Sequence, residues 1–317
     1  MALTERRLVS WLGALFQTTA PGVLLGIGDD AAVLQPAAEP LIASVDSSVC
    51  GVHFDPAFVG YEDIGYRAFQ AAISDLAAMG AAPVAALSSL ILPRALGRED
   101  IEALTRGQAR ASTECTCPIV GGNIARGSEL SLTTSVLGRA AQPLERRGAR
   151  PGEELWLLGS LGLAAAGLSL LRLRRPDDER HPGLVRCIAA WRRPRALLAE
   201  GQGLVGRASA AIDVSDGLSS DAAQLAAASR VRVVVELERL RASLDPALFA
   251  AGQRLRRSPV RLALVGGEDY ALLATGPRQR RPPGARAIGF VTRGAGAFLA
   301  TGGRLMPLRG GFDHLRR

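Results

Sequence analysis

Six short acidic or glycine-rich signatures carry the chemistry this chain can offer: GIGDDAAVL (26–34), SVDSSVCGVHF (44–54), ISDLAAMG (73–80), VGGNIARG (120–127), IDVSDG (212–217) and GGEDY (266–270). Carboxylates on tight turns suit hard cations such as Mg²⁺, which take oxygen ligands, keep several waters and bridge to phosphates. The set reads as a device for gathering phosphates around metal ions. Two common routes to a phosphate site are excluded. All 38 basic residues are arginine, so there is no lysine for a P-loop or for the strand lysine of a protein kinase. GIGDD is not GxGxxG, so a dinucleotide fold has no support. Arginines, backbone N–H groups and cations must then neutralise the phosphates.

Each acid also has a bland reading. Asp29 and Asp30 suit a turn. Asp46 ends the apolar run LIASVD, where an unpaired carboxylate is costly. Asp75 sits in AAISDLAAMGAA among few side chains that could solvate it, and its alternative is an internal cap or an ion pair with an arginine. Asp213 and Asp216 flank Ser215 and either cap the helix beginning near Gly217 or mark a phosphate site at its N-terminus. Glu268 and Asp269 follow two glycines, as in a turn. His53 alone reads as a packed histidine. Six motifs in this order are hard to attribute to accident.

The elements that must hold these residues alternate between helix and strand. Residues 61–79 form an alanine-rich helix with Ala68, Ala72, Leu76 and Met79 on one side, and 86–92 a buried strand closed by Pro93. A helix over 99–113, a short strand into Gly121-Gly122 and a strand over 130–137 follow. The polar, turn-rich stretch 140–154 is the domain boundary, giving parts 1–146 and 147–317. The second part reads as a strand at 155–158, a helix at 161–173, a charged loop RRPDDERHP and a further helix to about Leu198. IDVSDG then links a strand to a helix over 218–228, 231–237 is a strand, and GGEDY turns into another. The pattern predicts a two-part α/β protein.

Bulk properties agree with a folded chain of 317 residues: 48% hydrophobic, 21% charged and 4% aromatic. The net charge of +8 raises nucleic acid as a partner. The arginines are scattered, however, with few aromatics interleaved for base stacking, so small anionic substrates are the expected partners, with no nucleic acid and no membrane. Cys50, Cys115, Cys117 and Cys187 lack zinc spacing and read as reduced thiols. The opening residues pattern as an amphipathic helix, and a cytoplasmic protein is expected.

Across nearly its whole length the chain resembles the thiamine-monophosphate kinases, of the superfamily that includes aminoimidazole ribonucleotide synthetase, selenophosphate synthetase and a hydrogenase maturation factor. The resemblance rests on GIGDD, YRAFQAAISDLAAMGAAP, ERRGARPGEELWLLGSLGLAAAGL, ASAAIDVSDGLSSD and GGFDH (310–314). It implies an aminoimidazole ribonucleotide synthetase-like α/β (α+β) fold, a homodimer whose N-terminal sheets pair into a barrel, and an active site between domains. It further implies ATP-dependent conversion of thiamine monophosphate to thiamine diphosphate with several Mg²⁺ ions. By position, Asp30, Ser44, Asp46, Asp75, Asn123, Asp213 and Asp216 resemble the metal ligands, with Asp46, Asp75 and Asp213 as the catalytic acids. Gly122, Asn123, Arg146 and Ser215 match the ATP contacts, and His53, Glu268 and Phe312 the thiamine-phosphate site. Val45 stands where many relatives have threonine, Thr105 where an aromatic can pack on adenine, and Asn123 where aspartate is frequent. A selenophosphate synthetase should carry a reactive cysteine and a lysine near its start, and neither precedes Gly26. The hydrogenase factor should end in a cysteine-containing tail, whereas this chain ends HLRR. A catalytically inactive nucleotide-binding scaffold is the remaining alternative.

Overall fold

The computed structural model describes residues 5–16, 20–27, 31–173 and 175–312. The chain forms two compact units, Met1–Leu76 with Ala81–Ala141 and Ala77–Gly80 with Gln142–Arg317.

The first unit opens with α1 (Glu5–Leu15) and a small antiparallel pair, β1 (Val23–Leu25) and β2 (Val33–Leu34). There follow β3 (Leu41–Val49), α2 (Tyr61–Ala78), β4 (Ala82–Pro93), α3 (Arg98–Glu114), β5 (Ile119–Gly127) and β6 (Ser131–Arg139). The four longer strands make one sheet in the order β3-β6-β4-β5, with only β4 and β5 parallel, as the α3 crossover between them requires. Alternation sends Ile42, Leu90, Leu132 and Val136 inward, where Phe69, Ile73 and Leu76 of α2 and Ile101 and Leu104 of α3 are also buried. The two helices touch backbone to backbone: a Cβ on Gly65 would lie 1.8 Å from the Leu104 carbonyl oxygen, and one on Gly107 1.8 Å from that of Glu62. The opposite sheet face leaves Leu41, Val45, Leu87 and Ile91 exposed, at 57%, 62%, 40% and 39%.

The second unit contains β7 (Glu154–Leu158), α4 (Leu163–Leu173), α5 (Pro182–Arg192), α6 (Leu198–Leu204), β8 (Ala210–Val214) and α7 (Leu218–Ser229). It continues with β9 (Arg232–Glu236), α8 (Leu237–Ser243), α9 (Pro246–Leu255), α10 (Pro259–Val265), β10 (Ala271–Gly276), β11 (Arg286–Thr292), β12 (Gly296–Thr301) and β13 (Arg304–Pro307). Its sheet runs β13-β12-β9-β11-β7-β10-β8, with β12 and β9 parallel and the other neighbours antiparallel. Leu155, Leu157, Ile212, Val214 and Leu273 face one apolar core, and Trp156, Leu158, Ala211 and Leu272 another. Both faces are therefore covered, which explains why β7 and β10 read as continuous apolar runs.

The helix expected to run to about Leu198 is two helices. α5 ends at Arg192 and α6 starts at Leu198, because Pro194 lacks the N–H a continuing helix needs. The charged loop before α5 holds a 3₁₀ turn, Pro176–Arg180, in which Asp178 is buried and accepts from Arg254 at 2.5 Å. The arginine-rich stretch from 278 also starts with a 3₁₀ turn, Arg278–Arg280. All four cysteines are free thiols; burial pushes Cys115 up to about 11 and Cys187 up to about 12, so neither is a ready thiolate. No described helix is long and apolar enough to cross a membrane.

Candidate active site

In the first unit the sheet and α2 bring two of the expected ligands into contact. Ser44 lies on the helix-facing side of β3, and its hydroxyl donates to the Asp75 carboxylate near the end of α2. Asp75 thus has a neutral partner, and among the described residues no arginine pairs with it. Asp46 follows two residues along β3 on the same face. The ladder places it in a row with Thr134, Ser88 and Gly122. Gly122 has a structural reason to be glycine, since a Cβ there would fall 1.8 Å from the Ser88 carbonyl oxygen. Asn123 is exposed and falls in the neighbouring row with Ser89, Thr133 and Ser47, on the open face that also carries Val45. The sheet therefore does not bring Asn123 beside Asp46 and Asp75. Thr105 is fully buried, and its hydroxyl donates to the Ile101 carbonyl at 2.8 Å, so in this unit it is part of the α3 packing. His53 folds back on the end of β3: its amide donates to Val49 O at 2.9 Å and its Nδ1 accepts from Val49 N at 3.1 Å. That bond leaves Nε2 as the proton-bearing nitrogen of the neutral ring. Asp30 lies outside the described residues.

In the second unit three separate motifs converge. The amide of Glu268 donates to Ser215 O at 2.8 Å, that of Tyr270 to Val214 O at 3.0 Å, and that of Phe312 to Asp216 O at 2.9 Å. GGEDY and the RGGF tail are thereby clipped onto the IDVSDG turn. Phe312 is 48% exposed. Asp213 is only 5% exposed and stands in a row with Leu272 and Leu158 on an otherwise apolar sheet face. Arg146 donates to Gln224 Oε1 at 2.8 Å, and Gln224 in turn donates to Asp221 at 3.3 Å.

The N-cap of α7 is Gly217, which carries no side-chain cap, and another acid braces the turn before it. Asp221, inside the first turn of α7, reaches back and accepts the amides of Asp216 at 3.2 Å and Gly217 at 3.1 Å. Burial, then the charges of Asp213 and Asp216, push its carboxyl up to about 8 despite those two bonds. Asp269 also turns away from the turn role. Its carboxylate caps α4, accepting from Gly162 at 2.5 Å and Ala164 at 3.0 Å, while burial raises it to about 7 against the pull of those amides. Trp191, buried in α5, donates its indole N–H to Glu268 Oε2 at 2.8 Å. Asp221, Gln224 and Trp191 were not singled out by sequence reasoning. Only Asp221 left a signal there, as an acid in a helix first turn.

The oxygen-rich donor sets fit Mg²⁺. Each unit supplies carboxylates and hydroxyls rather than thiolate, and in the second unit Asp213 and Asp216 lie near enough to add to the burial that raises Asp221. Among the described residues no three His, Cys, Asp or Glu side chains form a closed metal cage. A separate surface cleft of about 930 Å³ in the second unit is lined by Arg147, Arg150, Glu153, Ser209, Arg230 and Arg280 among others, and by none of the expected site residues.

Comparison with known proteins gives the family of the chain. Residues 28–140 match the N-terminal domain, and 150–280 the C-terminal domain, of AIR synthase related proteins. Thiamine-monophosphate kinase of Aquifex aeolicus (strain VF5) is 34% identical over 75% of this chain and 76% of its own. The chain belongs to the thiamine-monophosphate kinase family. Solved members of that family superpose along most of its length. AaThiL complexed with AMPPCP and TMP covers 99% of both chains at a TM-score of 0.83 and 31% identity. The thiamine-monophosphate kinase from Stenotrophomonas maltophilia K279a covers 94% of this chain and 97% of its own, at 0.83 and 32%. The expected two-domain α/β fold is thus present.

Proposed function

We propose that the protein transfers the γ-phosphoryl group of ATP to thiamine monophosphate, giving thiamine diphosphate and ADP. The observation that carries this reading is the convergence of IDVSDG, GGEDY and RGGF in one unit, held by the Glu268 and Phe312 amide bonds. Family membership gives the convergence its chemistry, since a relative is known complexed with AMPPCP and TMP.

In this reading Asp30, Ser44, Asp46, Asp75, Asn123, Asp213 and Asp216 hold Mg²⁺, with Asp46, Asp75 and Asp213 the acids closest to the chemistry. Bound Mg²⁺ would supply charge neutralisation for the triphosphate and the acceptor phosphate. Gly122, Asn123, Arg146 and Ser215 contact ATP. Gln224 accepts from Arg146 Nη1 and so restrains the guanidinium, leaving its other N–H groups for a phosphate. His53, Glu268 and Phe312 bind thiamine monophosphate, and the exposed Phe312 ring packs on it. The acceptor is a phosphate monoester with a second pKa of about 6, mostly dianionic at neutral pH. It needs no general base, and a phosphoenzyme would add a step without removing a difficulty, so transfer is direct and in line. The exposed Leu41, Val45, Leu87 and Ile91 on the open sheet face support a homodimer paired through that face, and the family relationship supports a cytoplasmic enzyme.

Incubation with Mg-ATP and thiamine monophosphate, with ADP release measured against substrate concentration, tests the function. Substrate-dependent turnover is expected. Nucleotide binding without it would favour the inactive scaffold.

A further inference from the structure

We infer that Trp191 is a positioning residue for Glu268, and through it sets affinity for thiamine monophosphate. The inference rests on the proposed role of Glu268 in substrate binding.

Glu268 has a positive φ of 65° and Tyr270 one of 49°, with the α4-capping Asp269 between them. Non-glycine residues adopt such φ at a cost, and they persist where surrounding structure over-determines them. Here the backbone is fixed by the Glu268–Ser215 and Tyr270–Val214 bonds. The side chain needs its own anchor, because a glutamate on a turn has three free torsions. The indole N–H of Trp191 supplies it, at 2.8 Å from Glu268 Oε2.

The anchor is itself rigid. Trp191 is 1% exposed and lies one helical turn beyond Cys187 on α5. There α5 crosses α4 so closely that a Cβ on Gly167 would fall 2.0 Å from the Cys187 carbonyl oxygen. The start of α4 is in turn capped by Asp269, the residue after Glu268. The circuit Glu268–Asp269–α4–α5–Trp191 closes on itself and restrains the Glu268 carboxylate. Oε2 is the oxygen that the indole engages. A carboxylate held this way recognises an N–H-bearing heterocycle, the kind of group the thiamine moiety offers.

Trp191→Phe keeps a ring in the buried slot and deletes only the N–H. We expect KM for thiamine monophosphate to rise about tenfold, roughly 1.4 kcal/mol, with KM for ATP changed less than about twofold. On a Glu268→Ala background the same substitution should add nothing to KM for thiamine monophosphate. Equal rises in both KM values, or additive effects in the double variant, would overturn the proposal by showing a general packing role. The indole N–H signals of ¹⁵N-labelled wild-type and Glu268→Gln protein give a reading independent of how Trp191→Phe folds. One of the three tryptophan signals should move on substitution and again on adding thiamine monophosphate; none moving would overturn it. Normal activity without the kinetic split refutes this inference alone, whereas wild-type protein inert toward thiamine monophosphate refutes the proposed function as well.

Discussion

Asp221→Asn should flatten the pH dependence of stability in the metal-free protein. The carboxyl of Asp221 titrates at about 8 in the folded chain against 3.8 for the free group, raised first by burial and then by Asp213 and Asp216. A folded pKa above the unfolded one means the native state binds the proton more tightly. Its contribution is complete below about pH 4 and is lost as pH rises towards 8. A gap of about four units at about 1.4 kcal/mol each sets a ceiling of about 6 kcal/mol, and water access with local relaxation brings the expected loss to roughly 2–3 kcal/mol. Asparagine keeps the oxygen that accepts the Asp216 and Gly217 amides and removes the charge. Urea unfolding between pH 5 and 9 in a chelator should show wild-type stability falling with pH and the variant's nearly level. Millimolar Mg²⁺ should restore the wild type more at pH 8 than at pH 6. Parallel wild-type and variant curves would refute the reasoning, because Asp221 would then not be the titrating group.

Three further outcomes follow from the geometry. Asp75→Asn keeps a partner for the Ser44 hydroxyl, so the fold should survive while turnover drops by orders of magnitude; near-normal rates at limiting Mg²⁺ would remove Asp75 from the metal site. Phe312→Ala should raise KM for thiamine monophosphate well above any change for ATP, since an aromatic face adds about 0.5–1.5 kcal/mol beyond area burial, and equal shifts would place the ring outside the substrate site. Gly107→Ala should cost about 2–4 kcal/mol by forcing α2 and α3 apart, read as a lowered denaturation midpoint; an unchanged midpoint would mean the crossing relaxes freely.

The parts of the fold that sequence made legible are those with strong periodicity. The alanine-rich pattern placed α2 to within a residue, and Asp75 stood out because its carboxylate had to find a partner among small apolar side chains. That partner, Ser44, lies 31 residues away on another strand, and no local pattern announces such a pair. Register is likewise a sheet property. Asp46 and Asn123 both occur in motifs, yet pairing puts them in rows on opposite faces. Asp269 reads as one of two turn acids, but the free amides it satisfies belong to α4, more than a hundred residues earlier. Trp191 gave no signal at all, because a tryptophan in an apolar helix reads as core until its N–H partner is seen.

The central claim is the reaction itself. Purified protein with Mg-ATP and thiamine monophosphate, quenched over time and resolved by chromatography with fluorescent detection of thiochrome derivatives, measures it directly. Thiamine diphosphate should appear in step with ADP, dependent on both substrates and abolished by chelator. ATP consumption without thiamine diphosphate, or no turnover at any Mg²⁺ concentration, would contradict it.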